Sequence, residues 1–206
     1  MDRNEFNLSI VSNQRAFGLD LSDGSVNRLA DYYELIQEHN PILHLVGPCS
    51  AEEFAIRHIL ESLTLLEHLP KNAKLVDVGT GAGLPSIPCL LVRDDLTVLL
   101  IESKVKKVGF LQIVLAKCEL SSRAEIVNNQ FSETPRPRFS YITCRALDKF
   151  TQKLPQLIKW SGDCNLLFFG GNALRDGLNA NHVKFVEKLT PISEQRFLFI
   201  SDREKV

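Results

Sequence analysis

The stretch Lys74-Leu75-Val76-Asp77-Val78-Gly79-Thr80-Gly81-Ala82-Gly83-Leu84-Pro85 constrains this chain more than any other. A short apolar run ends in three glycines at alternate positions. A helix-compatible run, Leu84 to about Val92, follows, with Pro85 tolerated in its first turn. Glycines placed this way let backbone approach a ligand that a Cβ would block. Strand, glycine turn and helix open a βαβ unit, and ligands of such folds bind at the carboxyl ends of the parallel strands. The spacing is G-x-G-x-G, not the G-x-G-x-x-G of dinucleotide binders. Asp77 lies two residues before the first glycine. Its carboxylate would repel a pyrophosphate but suits a ligand carrying an ammonium or sulfonium.

The flanking sequence supplies the rest of an α/β pattern. Residues 1–20 lack periodicity and are expected to be partly loose. Val26, Leu29, Tyr33 and Ile36 then recur on one helical face, and Asn40-Pro41 should end that helix. Ser50-Ala51-Glu52-Glu53 is a capping-box pattern opening a second helix, with Phe54, Ile59, Leu63 and Leu66 on one face and Pro70 as its stop. Beyond the glycines, strands are predicted at 96–101, 124–127, 141–144 and 165–169, with helices at 105–118 and 150–160. Short runs at 183–186 and 197–200 read as a terminal antiparallel pair. The fold class is therefore α/β: a Rossmann-like, mostly parallel sheet with a terminal antiparallel hairpin, preceded by N-terminal helices. One domain is expected over residues 1–206, with 1–70 as a helical extension packed on it.

Charge is unevenly distributed. The chain carries Lys+Arg 24 against Asp+Glu 25, a net charge of −1. Residues 1–102 hold 7 Lys+Arg and 15 Asp+Glu, a net −8, and residues 103–206 hold 17 and 10, a net +7. Such asymmetry between halves points towards nucleic-acid contact through the basic half. No apolar run reaches the ~18 residues of a membrane helix, so no membrane association is expected. Five cysteines without a C-x-x-C, and five histidines without ligand spacing, argue for no metal and for reduced thiols in a cytoplasm.

A second acid completes the ligand pattern. Glu102 follows the second predicted strand, where a carboxylate can accept two hydrogen bonds from adjacent ribose hydroxyls. Acid, glycine loop and second acid form the layout of class I S-adenosylmethionine-dependent methyltransferases. Gly79-Thr80-Gly81-Ala82-Gly83-Leu84-Pro85-Ser86-Ile87-Pro88 resembles the G-T-G-P/A-G-L-P-G-I-P signature of one family among them. That family is the bacterial small-subunit (16S) ribosomal RNA guanine-N7 methyltransferases, the glucose-inhibited division protein B family. Arg57-His58-Ile59-Leu60-Glu61-Ser62 is similar to its R-H-[IF]-L-D-S. Glu102-Ser103 with Lys106-Lys107-Val108-Gly109-Phe110-Leu111 resembles D-S-x-x-K-[RK]-x-x-F-L. Thr143-Cys144-Arg145-Ala146-Leu147 resembles a segment containing S-R-A-F.

The resemblance implies methyl transfer from S-adenosylmethionine to N7 of one guanine in 16S rRNA, free or in an assembling small subunit, by a monomeric enzyme. It implies a cofactor-binding site of Asp77, Gly79, Gly81, Gly83, Leu84, Glu102, Gln130, Phe131 and Arg145, with Gly79 and Leu84 lining the cofactor, Asp77, Gly81 and Gly83 shaping the loop, Glu102 at the ribose and Gln130 and Phe131 flanking the adenine. Lys106, Lys107, Arg145 and Arg196 fall on positions expected to meet RNA. No catalytic base is assigned; Arg145 has a positioning role open to it. Three positions depart from the family pattern. Ser86 replaces a glycine, Asn128-Asn129-Gln130-Phe131 lacks an arginine and an acid, and Gly170 replaces a lysine. A methyltransferase with another acceptor, and a non-catalytic RNA- or ribosome-binding relative, remain alternatives at this point.

Overall fold

The computed structural model describes residues 2–135, 138–145, 147 and 149–202. Strands β1 (Lys74–Val78), β2 (Thr97–Ile101), β3 (Ala124–Val127), β4 (Tyr141–Arg145), β5 (Asn165–Gly170), β6 (Val186–Leu189) and β7 (Phe197–Ser201) form one sheet, in the order β3-β2-β1-β4-β5-β7-β6. The first five run parallel; β7 is antiparallel to both β5 and β6. The chain leaves β1 towards β2 and β3, then returns to β4 on the other side of β1. This is the topological switch point, where a crevice opens at the strands' carboxyl ends.

Alternation along the strands divides the core. Leu75, Val98 and Leu100 face the N-terminal helices, while Val76, Val78, Leu99 and Ile101 face the opposite layer. Burial on both faces explains why these strands read as continuous apolar runs. On the first face lie α1 (Arg3–Asn13), α2 (Asp23–Leu43), α5 (Ser86–Val92) and α6 (Val105–Lys117). Between α2 and β1, α3 (Ala51–Phe54), a π-helical stretch (Ala55–Leu60), α4 (Glu61–Leu63) and a 3-10 turn (Thr64–His68) follow one another without a break. Ser50 caps this run by accepting from the Glu53 N–H at 3.0 Å, as the capping-box pattern predicts. α7 (Phe150–Ser161) and α8 (Asn172–Ala180) pack on the other face.

Four local expectations change. Residues 3–13 are helical rather than loose: Asp2 caps the helix, and Phe6 and Ile10 are fully buried, Phe6 stacking on Tyr33 with centroids 4.6 Å apart. Exposed Leu8 and Val11 blur the periodicity. Burial of two such side chains, about 1.5–3 kcal/mol each, supplies the stability. Pro41 does not end α2, which continues to Leu43 and stops with His44 in the left-handed region. So close to the terminus, proline removes only one late ladder bond. The hairpin's first strand begins at Val186, later than predicted. α8 is a helix beyond those the periodicity predicts; Leu174 and Leu178, four residues apart, form its buried edge.

Candidate cofactor and acceptor site

Strand register brings the site together. Val78 pairs with Ile101 on one side and Cys144 on the other, so the next residues, Gly79, Glu102 and Arg145, arrive at the same level above the sheet. All three line a cleft of about 350 Å³ with Leu45, Thr80, Gly81, Ala82, Leu84 and His58. Lys104, Lys107 and Lys153 complete its rim. A larger cavity of about 610 Å³, near Phe17, Leu66 and Leu189, lacks the loop backbone and Glu102 that the smaller cleft combines.

The glycine loop is tied down by backbone. The Gly79 N–H donates to Ile101 O at 2.9 Å, and the Gly83 N–H to Thr80 O at 2.9 Å. Gly83 has φ +99°, and a Cβ there would lie 2.4 Å from Ile87 Cγ1. Only glycine fits, and it sits beneath the cleft rather than in its lining. Tyr32, fully buried on α2, donates its hydroxyl to Ala82 O at 2.9 Å and pins the loop to the N-terminal helices.

Glu102 is held at both oxygens. Oε2 accepts the Gly81 N–H at 3.0 Å and Oε1 the Lys104 N–H at 2.8 Å. A carboxylate offers about four acceptor sites, so two remain for a ligand's hydroxyls. Asn128 Nδ2 donates to Glu102 O at 2.9 Å and to Ser103 O at 3.2 Å, clamping the turn that carries the acid.

Asp77 lies under the loop. It is fully buried on the face towards α5, and its Oδ2 accepts the Thr80 hydroxyl at 2.8 Å. Burial pushes its carboxyl up to about 7, against the opposing hydrogen bond from Thr80. It lies beneath the loop and does not line the cleft, so the part left to it at the site is shaping the loop.

The β4 side is built from side chains. Arg145 Nη2 donates to Arg57 O at 2.6 Å, and Nη1 reaches Ser62 Oγ at 3.3 Å. Nη2 also lies 3.4 Å from Glu61 Oε1, and the guanidinium stands over the Phe169 ring at 5.6 Å. Arg196 Nε donates to the other oxygen, Glu61 Oε2, at 2.7 Å. Glu61 is 2 % exposed, so two arginines share one buried carboxylate. Arg145 thus keeps an edge on the cleft but is committed to an internal ion pair; Arg196 is committed to the same acid and stands outside the cleft lining.

The remaining expectations divide. Lys107 lines the cleft, and Lys106 points outwards, exposed on α6. Gln130 is exposed outside the lining. Phe131 is buried edge-on to Trp160, centroids 5.8 Å apart, so its ring is turned into the core and not towards the cleft. Gly170 has no room for another side chain: a Cβ would lie 2.6 Å from Leu174 Cδ2 of α8. Ala146 lies outside the described residues. Tyr32, Asn128, Glu61 and His58 carry roles that pattern reasoning did not assign. Arg57-His58 and Glu61-Ser62 were visible in a motif, but nothing local connected them to Arg145.

A sequence model of the rRNA small subunit methyltransferase G family matches residues 25–195. The chain belongs to that family. It is similar to the ribosomal RNA small subunit methyltransferase G of Neisseria meningitidis, 31% identical over 156 residues, covering 76% of this chain and 72% of that protein. With the protein of the same name from Pelotomaculum thermopropionicum the identity is 29% over 210 residues, covering 96% and 87%. Among solved structures, a SAM-dependent methyltransferase from Aquifex aeolicus superposes with TM-score 0.58 at 13% identity, covering 83% of this chain and 97% of that one. A ribosomal protein L11 methylase from Lactobacillus delbrueckii subsp. bulgaricus gives TM-score 0.56 at 16% identity, covering 72% and 79%. These structural likenesses concern the fold.

Proposed function

We propose that this chain transfers the methyl group of S-adenosylmethionine to N7 of a guanine in 16S ribosomal RNA, in the cytoplasm. The observation that carries the reading is the cradle at the switch point. Gly79, Thr80 and Gly81 present backbone beside a Glu102 carboxylate that has two acceptor sites to spare. The cleft volume lies within the ~300–1,000 Å³ of small-molecule sites. An adenosyl ligand suits it, because Glu102 can accept from two ribose hydroxyls while the loop's bulkless backbone admits the rest. The bound cofactor supplies a methyl already activated by its sulfonium.

The protein's own share is positioning. Guanine N7 has an in-plane lone pair and no proton to lose, so no general base is required. Transfer needs the two reacting atoms held ~3–3.5 Å apart in line. Rigid loop backbone, the Glu102 clamp and the fixed Arg145 edge serve that need. Lys104, Lys107 and Lys153 supply positive charge at the rim, and exposed Lys106 extends it for RNA phosphate. The test has two arms. Calorimetric titration should show S-adenosylmethionine binding. Small subunits lacking the modification should gain N7-methylguanosine, detected by mass spectrometry. Transfer to a different nucleoside alone would remove the guanine-N7 assignment.

A further inference from the structure

His58 is placed in the cleft by an irregularity of the backbone. It lies in the π-helical stretch Ala55–Leu60, inside an otherwise α-helical and 3-10 run. π-turns re-aim side chains and are frequent at functional sites. Here the turn sends the Arg57 carbonyl to Arg145 and the His58 ring to the cleft wall. The ring leans on Phe54, centroids 5.0 Å apart. Its Nδ1 is buried and meets no hydrogen-bond partner among the described residues, whereas Nε2 is not sealed in this way. One nitrogen is thus inside the protein and the other is left for whatever fills the cleft.

Charge decides the proton. Burial, followed by the Arg145, Arg57 and Arg196 guanidinium groups, lowers the imidazole to about 3, so it is neutral throughout the physiological range. A neutral imidazole has one N–H and one lone pair. An orphaned buried donor is rarer than an orphaned acceptor, which favours the lone pair on the buried Nδ1. This favours the tautomer protonated at Nε2, the nitrogen that is not sealed inside the protein.

Building on the guanine reading above, we propose that His58 Nε2–H donates to O6 of the target base and selects a 6-oxopurine over adenine. Guanine carries acceptors at N7 and O6 on one edge, whereas adenine carries an N6 donor at the second position. Donation to O6 engages the base on its reactive edge and leaves the N7 lone pair free. Adenine would set donor against donor, the kind of mismatch that discriminates strongly in a desolvated site. His58 is a specificity-determining residue, not a proton acceptor.

The test compares wild type, His58→Phe, which keeps a ring against Phe54 but has no N–H, and His58→Gln, which keeps a donor at similar reach. Substrates are small subunits lacking the modification and the same particles with 2-aminopurine, which lacks O6, ligated at the methylated position. Expected for His58→Phe on guanine is a kcat/KM reduced ~10-fold, with S-adenosylmethionine affinity within twofold of wild type. His58→Gln should recover most of the loss. On 2-aminopurine, wild type should already be ~10-fold slower, and His58→Phe should lower it no further. Equal losses on both bases, an unchanged rate on guanine, or a parallel loss of cofactor affinity each overturns the assignment. No N7-methylguanosine with wild type would overturn the methyl-transfer reading and this one together. N7-methylguanosine formed by wild type together with equal His58→Phe losses on the two bases overturns only this one.

Discussion

The two walls of the cleft are built in opposite ways. The wall above β1 and β2 is backbone: glycine N–H groups and carbonyls, with one carboxylate fastened at each oxygen by a neighbouring amide. The wall above β4 is side chain: Arg145 lines it and is braced from behind by Glu61, which Arg196 also holds, although Arg196 lies 51 positions after Arg145 in the sequence and Glu61 84 positions before it. Backbone walls are stiff because their geometry belongs to the strand ends. A side-chain wall is only as firm as its ion pairs. The first suits a ligand that is always the same, the second a macromolecular acceptor that must be admitted and oriented.

The largest effect should come from breaking the side-chain wall. Glu61→Ala leaves two arginines facing a buried gap, and removal of one partner from a buried pair costs about 3–5 kcal/mol. Urea denaturation should show that loss. A change within about 0.5 kcal/mol, typical of unremarkable surface sites, would mean that the wall does not depend on its ion pairs. Breaking the backbone wall should act on binding more than on folding. Glu102→Ala removes charge-assisted bonds worth about 1.5–3 kcal/mol each, so cofactor affinity should fall ~10–100-fold by calorimetry. Unchanged affinity would move the ribose site elsewhere.

Asp77 tests what lies beneath the backbone wall. Its folded value of about 7 is above the ordinary 3.8, so the native state keeps a proton that the unfolded chain releases between about pH 4 and 7. That contribution to stability is complete below about pH 4 and is lost as pH rises through 7. Asp77→Asn removes the ionisation while retaining an acceptor for Thr80. Its melting temperature should exceed wild type most at pH 8 and least near pH 4. The same shift at both values would show that Asp77 titrates alike in the folded and unfolded chain. The smallest effect belongs to Lys106, which stands outside both walls. Lys106→Ala should weaken RNA binding a little and flatten its salt dependence by about one phosphate contact, with cofactor affinity unchanged. A change in cofactor affinity would place Lys106 at the cleft.

The difference between the walls also explains what the sequence made legible. Gly79, Gly81, Gly83 and Glu102 stood out because a strand-turn-helix places its ligand groups at fixed local spacing, and parallel pairing aligns the next strand's end with it. Asp77 stood out for the same reason. Its neighbours then turned it inwards, where Thr80 and burial claim its carboxyl. Phe131 and Arg196 were visible as residue types but not as directions. Trp160 draws one into the core, and Glu61 holds the other. His58 was visible in its motif, but no spacing rule announces a π-turn.

The amino-acid sequence by itself determined the α/β order, the strand that ends in glycine, and the acid that follows the next strand. These are consequences of periodicity and backbone sterics, which act over a few residues. Only the tertiary structure decided which charges are spent inside and which face the cleft. That choice depends on burial and on partners remote in sequence. The same arginine is an RNA contact in water and a strut beside Glu61 when its surroundings exclude water. The net +7 of residues 103–206 therefore overstates what is free to meet RNA, because Arg145 and Arg196 are held by an acid from the other half.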